Sequence, residues 1–165
     1  MAIAETILNT IFKIFESGDL QVTVDSRNLG MAYAIPKDSE QTVVQDFGPW
    51  TPCEVKQVFF RQSLLGAPLV EIQLILSWRA SVAQQYIVEA FLDKTIITLD
   101  PTVSLAIAVR FNQPELFDRD LEAFFIPFQV EVTFKPLGGI GGTETRISKG
   151  TIRADGTGMF PAFDN

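Results

Sequence analysis

Three runs of strict alternation constrain this chain more than anything else in it. In "VEIQLILSW", Val70, Ile72, Leu74, Leu76 and Trp78 share one face. In "TVSLAIAVRF", Val103, Leu105, Ile107, Val109 and Phe111 do the same, with Thr102, Ser104, Ala106, Ala108 and Arg110 opposite. "FQVEVTFK" sets Phe128, Val130, Val132 and Phe134 against Gln129, Glu131, Thr133 and Lys135. A period of two sends successive side chains to opposite faces of a sheet, so each run reads as a strand with one face buried and one face in water. Further strands are expected at 20–25, 29–35, 54–61, 85–92, 95–99 and 144–153.

Turn-forming stretches separate these runs. They include "DSRN" (25–28), "FGPWTP" (47–52), "LLGAP" (64–68), "LDK" (92–94), "LDP" (99–101), "NQPE" (112–115), "PLGGIGG" (136–142) and "ADGTG" (154–158). Many strands with frequent turns and no βαβ rhythm predict a mainly β chain, an antiparallel β-sandwich or barrel. "PELFDRDLEAFF" (114–125) reads differently. Pro114 suits the first turn of a helix, and a short helical turn is expected near 114–122.

Ahead of the strands the period changes to 3.6. In "ETILNTIFKIFESGDL" and the residues before it, Ile3, Ile7, Leu8, Ile11, Phe12, Ile14 and Phe15 cover about half of a helix circumference. Gly18 is a natural stop, since glycine takes the left-handed conformation at a helix end. The spacing predicts an amphipathic helix over 3–17, a β-domain over 20–153 and a tail over 154–165, together one domain in a chain of 165 residues. Two readings of the helix stay open. It caps the core of its own β-domain, or it packs on a neighbouring chain. Membrane entry is disfavoured, because interfacial helices carry Lys or Arg on the polar face and this one has Glu5, Glu16 and a single Lys13.

Composition narrows the function. Charged residues are 20%, below the usual quarter, while hydrophobic residues are 47%. The apolar surplus needs a subunit contact or an apolar ligand cavity to fill. Fourteen phenylalanines, against two tyrosines and two tryptophans, suit dry interiors or subunit contacts, because Phe has no polar atom to satisfy. Net charge is −7 and the thirteen basic residues are scattered. Without a basic stripe to neutralise phosphates, nucleic acid is not an expected partner.

Histidine is absent. That removes Ser-His-Asp and Cys-His pairs, HExxH zinc sites and the usual neutral-pH general base. Cys53, the single cysteine, allows no intrachain disulfide and no structural zinc site. The glycine-rich stretch Gly138, Gly139, Ile140, Gly141 and Gly142 is followed by a strand pattern, whereas a phosphate loop needs a helix. It reads as a hairpin loop that could serve as a contact arm. Asp118, Asp120 and Glu122 enclose Arg119, which suits a solvated loop better than a cation site. Phe160 and Phe163 in "GMFPAFDN" mark a tail docked on something. No cofactor or metal is expected. No signal-peptide pattern and no apolar run of about 20 residues is present, so a cytoplasmic or assembled-particle location is expected.

The function expected from these residues is non-catalytic: a structural or interaction subunit of a homo-oligomer or larger assembly, such as a virus or phage particle. Its partners would be itself or other subunits. An apolar-ligand (lipid) binding or membrane-active β-protein is the alternative, and an enzyme working with carboxylates comes third. The layout, an amphipathic helix ahead of a histidine-free β-domain, resembles in outline actinoporin-type pore-forming toxins and the tail and capsid components of bacterial viruses.

Overall fold

The computed structural model describes residues 32–34, 49–121, 123–136 and 142–164. Two antiparallel sheets carry the structure, and they do not close into a barrel. The first is built from β1 (Ala32–Ala34), β2 (Thr51–Gln62), β3 (Pro68–Ser81) and β4 (Tyr86–Leu99), in the order β1-β4-β3-β2. The second is built from β5 (Val103–Phe111), β6 (Glu115–Asp118), β7 (Ala123–Pro136), β8 (Glu144–Arg153) and β9 (Gly158–Met159). Its order is β5-β7-β8-β9, with β6 also on β7.

The alternation read from the sequence decides which face goes inward. Val70, Ile72, Leu74, Leu76 and Trp78 of β3 are all buried. The register sets Phe59, Gln57, Val55 and Cys53 of β2 opposite Ile72, Leu74, Leu76 and Trp78, so β2 turns these side chains to the same interior. From the other sheet, Ile107, Val109 and Phe111 pair with Val132, Val130 and Phe128. The two inner faces merge into one apolar cluster. Each fully buried side chain of this size is worth ~1.5–3 kcal/mol against water, which is why the apolar faces meet.

Each sheet is a continuous piece of sequence, and the chain crosses from one to the other once among the described residues. The crossing is a tight corner. Asp100 donates its N–H to Leu69 O (2.8 Å), and its carboxylate accepts from Thr102 N (2.8 Å) and Thr102 Oγ1 (2.5 Å). Those two hydrogen bonds hold the Asp100 carboxyl below its ordinary value.

Three expectations change. The helical turn near 114–122 is instead β6, which pairs Glu115 with Phe125 and Leu116 with Phe124, followed by a turn. The Asp118 carboxylate accepts from Asp120 N (3.0 Å) and Leu121 N (3.2 Å) in that turn. So short a segment cannot stabilise a helix alone, whereas the open edge of β7 offers it ready hydrogen-bond partners. The separate strands at 85–92 and 95–99 are one strand, β4, which runs through "LDK" because Asp93 and Lys94 pair with Ile75 and Leu74. A barrel does not form. The strand expected at 29–35 is described only over Ala32–Ala34, and 144–153 coincides with β8. The strand at 20–25 and the helix at 3–17 lie outside the described residues.

Candidate functional site

Two surfaces stand out, one exposed and one filled. The exposed one is the end of the first sheet at the β2–β3 hairpin. Ser63 organises this turn. Its N–H donates to Ala67 O (2.8 Å), its carbonyl accepts from Gly66 N (2.9 Å), and its hydroxyl accepts from Ala67 N (3.1 Å). Gly66 sits at φ +85°, a left-handed conformation that side chains resist. With the turn closed by these bonds, Leu64 and Leu65 project outward at 107% and 97% relative exposure. Val58 and Phe60, both exposed, lie two residues apart on the outer face of β2 leading to this tip. Ile97 and Leu99, at the end of β4, are exposed at the same end of the sheet. Single exposed apolar residues are ordinary, whereas a group of them rimmed by polar residues marks an interaction surface.

The filled surface is a slot between β8 of one sheet and β2 of the other, occupied by residues 158–164. Gly158 and Met159 pair with Ile152 and Thr151 of β8. Farther on, Ser148 Oγ donates to Pro161 O (2.6 Å), Asp164 N donates to Ile147 O (3.0 Å), and Ile147 N donates to the Asp164 carboxylate (2.7 Å). From β2, Gln57 Nε2 donates to Phe160 O (3.0 Å). The Phe160 ring stands edge-on to Phe128 at 5.2 Å, and Phe163 stands edge-on to Phe59 at 5.4 Å. At the open end of the slot Glu144 accepts from Arg61 Nη2 (2.9 Å) and Arg146 Nε (2.6 Å), and Arg146 Nη1 donates to Asp164 O (3.1 Å).

The tail that carries Phe160 and Phe163 is thus docked on the chain's own core. Gly142 is exposed with open space around it, while Gly138, Gly139, Ile140 and Gly141 lie outside the described residues. So do Ile3, Ile7, Leu8, Ile11, Phe12, Ile14 and Phe15. Leu64 and Leu65 were read only as part of a turn. Two large aliphatic residues in a loop were the signal that could have marked them.

No protein-family model matches this chain, and no curated protein or solved structure is significantly similar to it. Its chemistry is therefore read from its own side chains. Among the described residues, no group of three or more metal-liganding side chains comes together, and no helix is long and apolar enough to cross a membrane.

Cys53 is held back as a nucleophile. Burial pushes its thiol above the ordinary value and the nearby Asp155 carboxylate adds to that, against a partial offset from the Ala80 backbone. A raised value means less thiolate at any given pH, and thiolate is the reactive form. Alkylation by iodoacetamide near pH 8 should therefore be several-fold slower in the folded chain than in the urea-unfolded chain. Equal rates in the two states would contradict this placement of Cys53.

Proposed function

We propose that this chain is a non-catalytic interaction subunit, joining copies of itself or other assembly components through the apolar end of its sandwich. The observation that carries the reading is the full exposure of Leu64 and Leu65 on an internally hydrogen-bonded hairpin, flanked by Val58 and Phe60. Covering each leucine would return ~1.5–3 kcal/mol, and a preorganised hairpin loses little entropy on docking. The low charge fraction and the surplus of phenylalanine support the same reading. A helix over 3–17, as its apolar spacing predicts, would offer such an assembly a second apolar surface.

Native mass spectrometry at two concentrations tests this. The unsubstituted chain should give a discrete oligomer. Leu64→Ser with Leu65→Ser should shift it toward monomer while leaving the circular dichroism spectrum of the folded chain unchanged, since neither side chain touches the core. A monomer at both concentrations, or an oligomer indifferent to the substitutions, would refute the proposal.

A further inference from the structure

We propose that the outer edge of β5 is the seat of residues 20–25 of the same chain, which add to the second sheet as its outermost strand. The inference does not rest on the apolar tip; it concerns a different side of the sandwich and what is anchored there.

Which backbone groups of β5 face outward follows from one bond. Asn112 N donates to Pro127 O (2.9 Å), and the register places Asn112 opposite Pro127, one step beyond Phe111 and Phe128. In an antiparallel pair, bonded and non-bonded positions alternate. Arg110, Ala108, Ala106 and Ser104 therefore bond to β7, and the N–H and C=O groups of Phe111, Val109, Ile107 and Leu105 point away from it. Among the described residues only β7 lies beside β5. Yet Val109, Ile107 and Phe111 are 0%, 1% and 7% exposed, backbone included. Buried backbone groups are paired in nearly every native structure, so this edge has a partner other than bulk water. The burial holds within a single chain, so the partner belongs to that chain.

Residues 20–25 fit that place in pattern, charge and position. Leu20, Val22 and Val24 alternate with Gln21, Thr23 and Asp25, so one face continues the apolar layer of Ile107 and Val109 while the other meets water. The outer face of β5 carries one cation, Arg110, and the polar face of the segment carries one acid, Asp25. Position follows from β1. In the sandwich β2 lies over β9, whereas β1 and β4 lie over β7, where Phe124 N donates to Gln85 O (3.4 Å). β1 is the outermost described strand of the first sheet, so the chain that precedes Ala32 starts from the β5 side. Residues 26–31 reach up to ~20 Å when extended, about twice the ~10 Å between packed sheets.

Covering this edge has two consequences. β5 keeps an unbroken register with β7 and carries one charge along its length, and a flat edge of that kind is a template for foreign strands. The seated segment removes the template, and leaves the Leu64–Leu65 tip and the apolar stripe of 3–17 as the surfaces offered to a neighbour. It also fixes the root of that stripe. Residues 3–17 join the seated strand through Gly18 and Asp19 alone, so they are held beside the second sheet as an arm on a short, anchored tether.

Amide hydrogen exchange, read residue by residue, tests this. In the full chain the amides of Ile107, Val109 and Phe111 should be protected. In a chain shortened to begin at Arg27 they should exchange about tenfold faster or more, while those of Ala106 and Ala108, bonded to β7, stay protected. Val22→Asp with Val24→Asp keeps the full length and puts charge on the inward face of the segment, and should give the same alternate-residue pattern. Fast exchange at Ile107 and Val109 in the full chain, or protection there that survives both changes, would overturn the proposal. Protection that rises with protein concentration would put a second copy on the edge, and would overturn it equally.

Discussion

Phe160→Ala should lower stability by about 3–5 kcal/mol, the usual range for emptying a buried phenylalanine site. Phe160 is 7% exposed and is wedged between the sheets, against Phe128 on one side and 6.2 Å from the Phe163 ring on the other. The two sheets meet it from different strands, so neither can collapse into the space without moving the other. The backbone carbonyl of the same residue accepts the Gln57 amide, so a displaced segment also leaves that group unpaired. Urea titration would show the loss as a lower midpoint at unchanged slope. A shift equivalent to under about 1 kcal/mol, far below the range for such sites, would mean that the ring does not fill the core.

Gly150→Ala should have an effect out of proportion to one methyl group. The added carbon meets a backbone carbonyl and a core ring, neither of which is the flexible end of a side chain. Overpacking of this kind costs about 1–3 kcal/mol and occasionally more. The cheaper escape is for residues 158–164 to lift off β8. Hydrogen exchange separates the outcomes, because the Ile147 amide is protected by the Asp164 carboxylate. Its protection should fall markedly in Gly150→Ala. Gly142→Ala, with open space around the added carbon, should stay within about 0.5 kcal/mol of the unsubstituted chain. Unchanged protection of Ile147 in Gly150→Ala would show that the segment is not seated as described.

The inner faces of β3 and β7 were legible in the sequence because their apolar residues kept a period of two, whereas in β5 the small Ser104, Ala106 and Ala108 left either face free to pack, and the register with β7 turned Ile107, Val109 and Phe111 inward. The continuity of β4 was not legible. Asp93 and Lys94 read as a turn, and only their pairing with Ile75 and Leu74 keeps them in a strand. The misreading of 114–122 has a similar cause. Pro114 fits either the start of a helix or the start of an edge strand, and the choice was made by β7, far away in the sequence. Phe160 and Phe163 announced a docked segment, but not on what. Nor could Gly150 and Gly158 be told from turn glycines, since one letter stands for two different needs: a permissive backbone, and the absence of a side chain. The Leu64–Leu65 tip was hidden by the turn signal around it, which was correct about the backbone and silent about the side chains.

The division of the two sheets into consecutive stretches of sequence has a consequence for synthesis. Strands β1 to β4 have all been made by Leu99, yet among the described residues the apolar face they share is covered by strands made later, and the slot beside β8 is filled last by Phe160 and Phe163. Roughly 60 residues separate Leu99 from Phe160, and at about 5–20 residues per second the ribosome takes seconds to supply them. Through that interval Val70, Ile72, Leu74, Leu76 and Trp78 await the second layer that the described residues supply. The nascent first sheet is thus a natural client for a chaperone that holds apolar strands until the second arrives.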